Sequence, residues 1–428
     1  PANPENQCGD NLYWDYSNGT LTITGSGAMY DGNDLLTYHQ QSWFPDEVTR
    51  VNLPNGMTHI GATAFADCSN LTSISIPSSV VSIGKAAFAW SGLQTLTLPE
   101  GVQDIDNMAF ANCDHLTKFT YRGTPNELGN ATTPMFLGCN QLDTIIAPAR
   151  MWDCPEPDAT VQEYYGFPSH IRYIEVTGGE LSATNISYMA NSNRTLLTLD
   201  ISSASNTTLP NQAFINWTAL ETLRLPANLT EIPYQIAYAC ENLKAISIPS
   251  YVAVIGDEAF RGCSKLSSID FADSQNLYSI GQYAFAYCSA LLSVEVPEGV
   301  QTLGAYAFRN TGLVQLRLPS TLSVIGNYTF YNCSHLLKMN VAAYTPPTVS
   351  SYTFYNVPRT AKVYVPESVV NTYKSTAVWR EFFIESNVQD AVDNILTEGE
   401  EQTQKLLING QVIIIRNGKS YNLMGQEL

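Results

Sequence analysis

Ile246-Ser247-Ile248-Pro249-Ser250-Tyr251-Val252-Ala253-Val254-Ile255-Gly256-Asp257-Glu258-Ala259-Phe260-Arg261-Gly262-Cys263-Ser264-Lys265-Leu266 decides the fold, because the chain repeats it. The same frame returns at Val294, Val296, Pro297, Val300, Leu303, Gly304, Phe308 and Leu313. Across the chain the unit recurs every roughly 22 to 29 residues, a period that marks a solenoid. Such a unit cannot bury its apolar face alone and does so against its neighbours, so function is expected on outward surfaces rather than in a pocket.

One unit reads directly. In Leu71-Thr72-Ser73-Ile74-Ser75-Ile76-Pro77 the apolar residues alternate with hydroxylated ones, the period of a strand with one buried face. Pro77 has no N–H for a ladder and ends it. Val80 and Ile83 return to the core, Gly84 is read as a turn residue, and Ala87-Phe88 as the start of a short helical turn. The first inward strand residues are Val51, Ile74, Leu96, Phe119, Ile145, Ile174, Leu199, Leu223, Ile246, Ile269, Val294, Leu316, Met339 and Val363. The Phe slots show a gap between Phe136 and Phe214, but the strand positions do not. Residues 120–200 are therefore read as longer, divergent repeats, with Trp152-Asp153-Cys154-Pro155-Glu156-Pro157 on a protruding loop. The expected fold is an α/β repeat solenoid: a continuous array of about 14 strands in one parallel β-sheet, with an N-terminal β-hairpin cap and a small C-terminal β-meander. The expected division is a cap at 1–44, the solenoid at 45–385, and an acidic linker with a β tail at 386–428.

Composition is globular, with 44% hydrophobic and 11% aromatic residues, but only 14% are charged. The net charge of −18 argues against nucleic-acid binding, which needs Lys and Arg on phosphates, and against anionic membranes. No run of about 18 apolar residues is present to span a bilayer. The chain begins at Pro1, which is read as a signal peptide or leader missing from this sequence.

Cys68, Cys113, Cys139, Cys240, Cys263, Cys288 and Cys333 each fall three residues after the Phe slot, where Ser91, Trp217 and Thr311 also occur. A required disulfide would not tolerate those replacements, so these are read as buried thiols packing as small hydrophobes. Cys8 and Cys154 lie outside the ladder. His115 and His335 share one repeat position, and His59 sits where Ser82 sits in the next repeat. No metal spacing, nucleophile elbow or phosphate loop is found: Gly418-Lys419-Ser420 lacks the earlier glycine, with Ile413 in its place. No catalytic residue, cofactor or metal ligand is expected.

The recurring Ile-Pro, Ile-Gly and Ala-Phe-x-x-Cys elements resemble the leucine-rich repeats of the BspA-like, or Treponema pallidum-type, family over roughly residues 45–385. The departures are residues 120–200, and Ile232-Pro233 with Ala237 in place of Ile-Gly and Phe. The resemblance implies a secreted or cell-surface bacterial protein acting in adhesion. Cys8-Gly9-Asp10 to Met29 is similar to the N-terminal cap of that family, and it holds a hairpin predicted at Ser17-Asn18-Gly19. Val370, Tyr373, Trp379 and Phe382 predict a closing amphipathic helix. Beyond Glu398-Gly399-Glu400-Glu401, Asn409-Gly410 and Asn417-Gly418 between apolar runs predict a three-stranded meander, similar to terminal segments of secreted Bacteroidetes proteins.

Two surfaces carry the variation between copies. On the outward sheet face, early strands present Thr72, Ser73, Ser75, Thr95 and Thr97, and later ones present Glu221, Arg224, Lys244, Asp270, Glu295, Arg317 and Lys338. Mixed signs suit a protein partner, and an ordinary solvated face is the plainer alternative. Tyr283, Tyr306, Tyr328 and Tyr352 lie two residues before four successive Phe slots, followed by Tyr287, Tyr331 and Tyr355. They fit either glycan or protein binding or stacking that holds the layers. The expected function is non-enzymatic binding of a protein or glycan ligand. The alternative is a structural component of a surface complex docked through the C-terminal tail.

Overall fold

Leucine, isoleucine, valine and phenylalanine at every second strand position point one way, and that face is the core. A computed structural model describes residues 6–32, 45–128, 135–152, 168–190, 194–271 and 274–387, with the backbone of strands 403–408, 411–416 and 419–421. The Trp152–Pro157 loop beyond Trp152, Cys154, His39 and the acidic segment 398–401 lie outside the described residues. The chain divides into two compact units, 1–206 and 207–428. Each is a stack of parallel β layers with little helix.

In the first unit, Thr95–Leu98, Lys118–Tyr121, Thr144–Ala147, Tyr173–Val176 and Thr198–Asp200 pair in parallel, placing Leu96, Phe119, Ile145, Ile174 and Leu199 in one column. The ladder therefore runs through the long repeats without a break. Their missing Phe turn is replaced by the helix Ala183–Met189, whose Ser182 Oγ accepts from Asn185 N–H at 3.1 Å and whose Ile186 and Met189 fill the core. Residues 71–77 form no strand, and Ile74 is only half-buried where Val51 and Leu96 are buried. At the N-terminus Leu12–Ser17 and Thr20–Gly25 make the expected hairpin. Its turn residues Asn18 and Gly19 have φ of 50° and 77°, as a type I′ turn requires. The hairpin covers the first layer through Thr20–Gly25, which pairs with Arg50–Asn52.

In the second unit Thr222–Arg224, Ala245–Ser247 and Ser268–Asp270 form one parallel run. Ser293–Glu295, Gln315–Leu318, Lys338–Val341, Lys362–Val365 and Phe383–Ser386 form another, so the ladder gains a last strand at Phe383–Ser386. The end is closed by Val370–Ser375, with Tyr373 Oη donating to Ala343 O at 2.8 Å and Trp379 Nε1 to Pro347 O at 3.0 Å. The C-terminal strands Thr403–Ile408, Gln411–Arg416 and Lys419–Tyr421 form the antiparallel meander.

Two further ladders come from the remainder of the repeat. The Ile-Gly elements pair as short parallel strands: Met57–Ile60, Ser82–Ile83 and Asp104–Ile105 in the first unit, Glu231–Ile232 to Val324–Ile325 in the second. The glycine there is not a turn residue. Gly84 lacks a positive φ, and a Cβ on it would lie 2.5 Å from Ala62 N; layer-to-layer approach, not backbone freedom, excludes a side chain. The Ala-Phe segment is not helical either. Alternate amides donate to the next layer, as Thr63, Phe65 and Asp67 do to Lys85, Ala87 and Ala89 at 2.7–2.9 Å. That pattern needs left-handed residues on both sides of the Phe, seen at Thr63 and Asp67, Ala86 and Trp90, Tyr306 and Asn310. The Phe rings stack between layers: Phe260, Phe285, Phe308, Phe330 and Phe354 sit 5.4–5.8 Å apart within 13° of parallel.

Candidate partner-binding surfaces

The strands fix the first surface by alternation, since residues flanking each inward side chain face solvent. Lys244 Nζ pairs with Glu221 at 2.6 Å and Arg317 Nε with Glu295 at 3.3 Å, each across neighbouring layers. Ser247 Oγ donates to Asp270 at 3.3 Å, and Lys338 Nζ lies 4.8 Å over the Tyr364 ring. Arg224 is exposed on its strand. The mixed signs are thus largely spent within the face, and exposed pairs of this kind contribute about 0–1 kcal/mol each. In the first unit the same face carries Thr95, Thr97, Thr120 and Thr198, with Arg122 and Glu175 paired at 2.8 Å.

The second surface is built by the turn. Tyr283, Tyr306 and Tyr328 occupy the left-handed position before the Phe, with φ of 53°, 60° and 58°. A bulky residue there is uncommon; the layer-to-layer amide pattern imposes the conformation, as it does at Ala86 and Glu258. The rings of Tyr283, Tyr306, Tyr328 and Tyr352 form one column with centroids 4.5, 4.9 and 5.1 Å apart. Tyr331 and Tyr355 stack beside it at 5.3 Å. The internal ring faces are consumed by one another, leaving edges and phenol hydroxyls outward, while Tyr352 and Tyr355 at the end are 50% and 52% exposed.

Two arginines that the sequence reading passed over join this column. Arg261 lies 5.7, 4.9 and 5.6 Å from the rings of Tyr238, Tyr283 and Tyr287. Arg309 lies 5.6, 5.4 and 4.8 Å from Tyr287, Tyr306 and Tyr331. Their signal was present as Phe260-Arg261 and Phe308-Arg309 in the same frame. Arg261 also donates to Glu258 at 2.7 Å. Burial works against its charge, but the Glu258 carboxylate outweighs this and raises its pKa.

The thiol column is structural. Cys113, Cys139, Cys240, Cys263 and Cys333 each donate to the main-chain carbonyl of a preceding Phe slot at 3.0–3.2 Å, and the described cysteines are all free and buried. Burial pushes the Cys68 and Cys240 thiols up to about 12 and Cys8 and Cys333 to about 11. Because the thiolate is the nucleophile, native protein at about pH 8 should leave these cysteines unalkylated, and denaturation should expose them. Peptide mapping by mass spectrometry reads both states, and rapid native labelling at Cys240 would contradict the packing.

Asp31, His59 and Ser82 form a line at the edge of the first unit: His59 Nδ1 lies 2.7 Å from Ser82 Oγ and Nε2 lies 3.0 Å from Asp31 Oδ1. These are nucleophile, base and acid residue types, but the backbone around the hydroxyl is occupied. Val81 N–H donates to Thr58 O and Gly84 N–H to Ile60 O, so neither is left to stabilise an oxyanion. The line ties three layers together. Burial works to raise the Asp31 pKa, but hydrogen bonds from His59 and Ala62 N–H lower it on balance. A carboxyl with a depressed folded pKa contributes stability that is present above the unfolded value and lost as pH falls through the folded one. Asp31→Asn should therefore lower the urea midpoint at about pH 7, and the difference should shrink as pH falls below the usual carboxylate range; a constant difference would remove the ionic contribution.

The BspA type leucine rich repeat region matches this chain in six copies, over residues 40–154, 184–288 and 255–376. The chain belongs to the BspA-type leucine-rich-repeat family. Solved structures similar to this BspA-type protein include a leucine-rich repeat protein from Bacteroides ovatus, 19% identical over 88% of this chain and 98% of the other, with a TM-score of 0.29. One from Eubacterium ventriosum is 21% identical over 72% and 94%, with a TM-score of 0.26. The T. pallidum leucine rich repeat protein is 25% identical over 41% and 83%, with a TM-score of 0.28. Comparison with curated proteins gives no match. No helix among the described residues is long and apolar enough to cross a membrane.

Proposed function

We propose that this BspA-type protein is a non-enzymatic, secreted or cell-surface scaffold that binds a macromolecular partner, protein or glycan, in adhesion. The observation that carries the reading is the division of labour within each repeat. Inward positions hold the same residue types from layer to layer, while outward ones change from hydroxyls to ion pairs to stacked tyrosines. A solenoid that invests its regularity in the core and its variety on the surface suits recognition over an extended area. The residues assigned to that contact are Tyr283, Tyr306, Tyr328 and Tyr352 on the turn side and Arg224, Lys244, Asp270, Glu295 and Arg317 on the sheet side.

The test is a binding screen of the full chain against extracellular-matrix proteins and glycans, repeated with Lys244→Glu plus Arg317→Glu and with Tyr352→Ala. A sheet-face site predicts that the double charge reversal weakens binding about 10-fold or more by removing electrostatic complementarity. A turn-side site predicts that loss for Tyr352→Ala. No binding across the panel would sink the adhesion reading. Removing residues 386–428 should leave ligand binding intact if the tail is a separate docking element.

A further inference from the structure

We infer that the cage around Arg309 is a carboxylate-binding subsite, and that its ligand is a carboxylated sugar within an otherwise neutral glycan. This rests on the partner-binding reading above and names the chemistry it would recognise.

The inference comes from comparing two cages built by the same frame. Arg261 and Arg309 each follow a Phe slot, and each guanidinium lies against three tyrosine rings, sharing Tyr287 between them at 5.6 Å on either side. In the Arg261 layer the residue two before the Phe is Glu258, whose carboxylate accepts from Nη1 at 2.7 Å. In the Arg309 layer that position is Tyr306. The carboxylate has been exchanged for a phenol, and the arginine has been kept. Arg309 has no carboxylate partner and no side-chain hydrogen bond among the described residues, and its Nε is buried without an acceptor. A guanidinium offers five N–H donors in a planar fork; the buried Nε lies out of a ligand's reach, so a carboxylate meets the Nη side, the side from which Glu258 meets Arg261. The rings partly stabilise the charge, but they bring no carboxylate to it. An external carboxylate completes at Arg309 what Glu258 completes at Arg261.

The surroundings select the kind of carboxylate. The chain carries a net charge of −18, which repels densely acidic peptides and polyanions at long range. A ligand with one carboxylate on a neutral, hydroxyl-rich body avoids that penalty. Tyr306 and Tyr328, stacked 4.9 Å apart, turn their edges rather than their faces outward, so they present a row of phenol hydroxyls that both donate and accept. Such a row meets sugar hydroxyls more readily than the apolar side chains of a peptide.

The probes are an oligosaccharide ending in N-acetylneuraminic acid, the same oligosaccharide without that sugar, and a glutamate-containing peptide, titrated calorimetrically into the full chain. The expected result is binding of the acidic oligosaccharide only, weakened roughly 10-fold or more by Arg309→Gln. Tyr306→Glu supplies the internal carboxylate in the conformation that Glu258 already adopts, φ 56° against 60° at Tyr306, and should close the site as strongly. Tyr306→Gln removes the same ring and hydroxyl without adding charge and should weaken binding less than Tyr306→Glu, and that gap separates a filled cage from a damaged column. Equal binding of the two oligosaccharides, indifference to Arg309→Gln, equal loss in Tyr306→Glu and Tyr306→Gln, or absence of binding would each overturn the proposal. Arg309-dependent capture of the peptide alone would overturn the sugar assignment. A matrix ligand bound equally by wild type and Arg309→Gln would leave the adhesion reading standing while this subsite fails.

Discussion

Phe308→Ala is expected to destabilise the second unit by about 3–5 kcal/mol, the cost of truncating a buried aromatic in a core that collapses poorly. Phe308 is fully buried and lies in the middle of the ring column, 5.5 Å from Phe285 and 5.8 Å from Phe330. Its N–H donates to Thr329 O, and its carbonyl accepts from the Cys333 thiol at 3.2 Å and the Thr311 hydroxyl at 2.9 Å. The backbone around the ring is thus pinned on both sides and cannot close over the lost volume. Repeat stability is a sum of nearest-neighbour terms, so a weak layer also uncouples the layers on either side. Urea unfolding should show a lower midpoint and a broader transition than wild type. A shift below about 1 kcal/mol would mean that the layers relax into the cavity, and the stacked column would then not be the source of cohesion. In the Ala237 layer the Phe slot itself holds Ala, and Ile236 is fully buried beside it.

Gly304→Ala is expected to be nearly as damaging, at about 1–3 kcal/mol or more, for the opposite reason: overpacking. A Cβ at this position would lie 2.6 Å from Gln282 N and Gly281 C and 2.8 Å from Gly281 O. Those are backbone atoms of the next layer, held by the Gly304 N–H to Ile280 O bond at 2.8 Å, so no side-chain rotation relieves the contact. Either the short ladder Thr302–Leu303 separates from Ser279–Ile280 or the layers tilt. Thermal unfolding measures the effect, and an unchanged Tm would show that the layer spacing has slack. Gly326 has the same surroundings, with Ala305 N 2.6 Å from the added Cβ, and should behave alike; at Gly281 the Asp257 side chain, at 2.6 Å, adds to backbone atoms at 2.8 Å.

Much of this was legible in the residues themselves. The Leu-x-Leu alternation places Leu96, Phe119, Ile145, Ile174 and Leu199 in the register that the ladder shows, through the long repeats as well as the regular ones. Asn18-Gly19 marks its hairpin because few residues tolerate two positive φ angles in succession. Cys240 and Cys263 read as packing because Ser, Thr and Trp share their slot, and their thiols do bond to carbonyls of the layer before. The segment 71–77 misled because alternation reports amphipathicity, not pairing, and Ile74 is only half-buried. The Ile-Gly glycine and the Ala-Phe turn read along one chain as local conformation, whereas their cause lies between layers. Of the candidate surfaces, the tyrosine column was visible as a repeat position, but Arg261 and Arg309 were not singled out.

Sequence by itself therefore determined the solenoid, its period, its capped ends and the identity of what faces inward, because those follow from alternation and repeat spacing along one chain. Tertiary structure alone decided what the outward residues do to each other. Lys244 meets Glu221 and Arg317 meets Glu295 only once layers stack, and stacking converts a row of tyrosines from open faces into closed ones. It also makes Arg261 and Arg309 different: the same residue in the same slot is satisfied in one layer and unsatisfied in the other. The physical reason is distance. Core residues are selected by burial, which every repeat imposes alike, whereas charge pairing and ring contact depend on a few ångströms between residues of neighbouring layers.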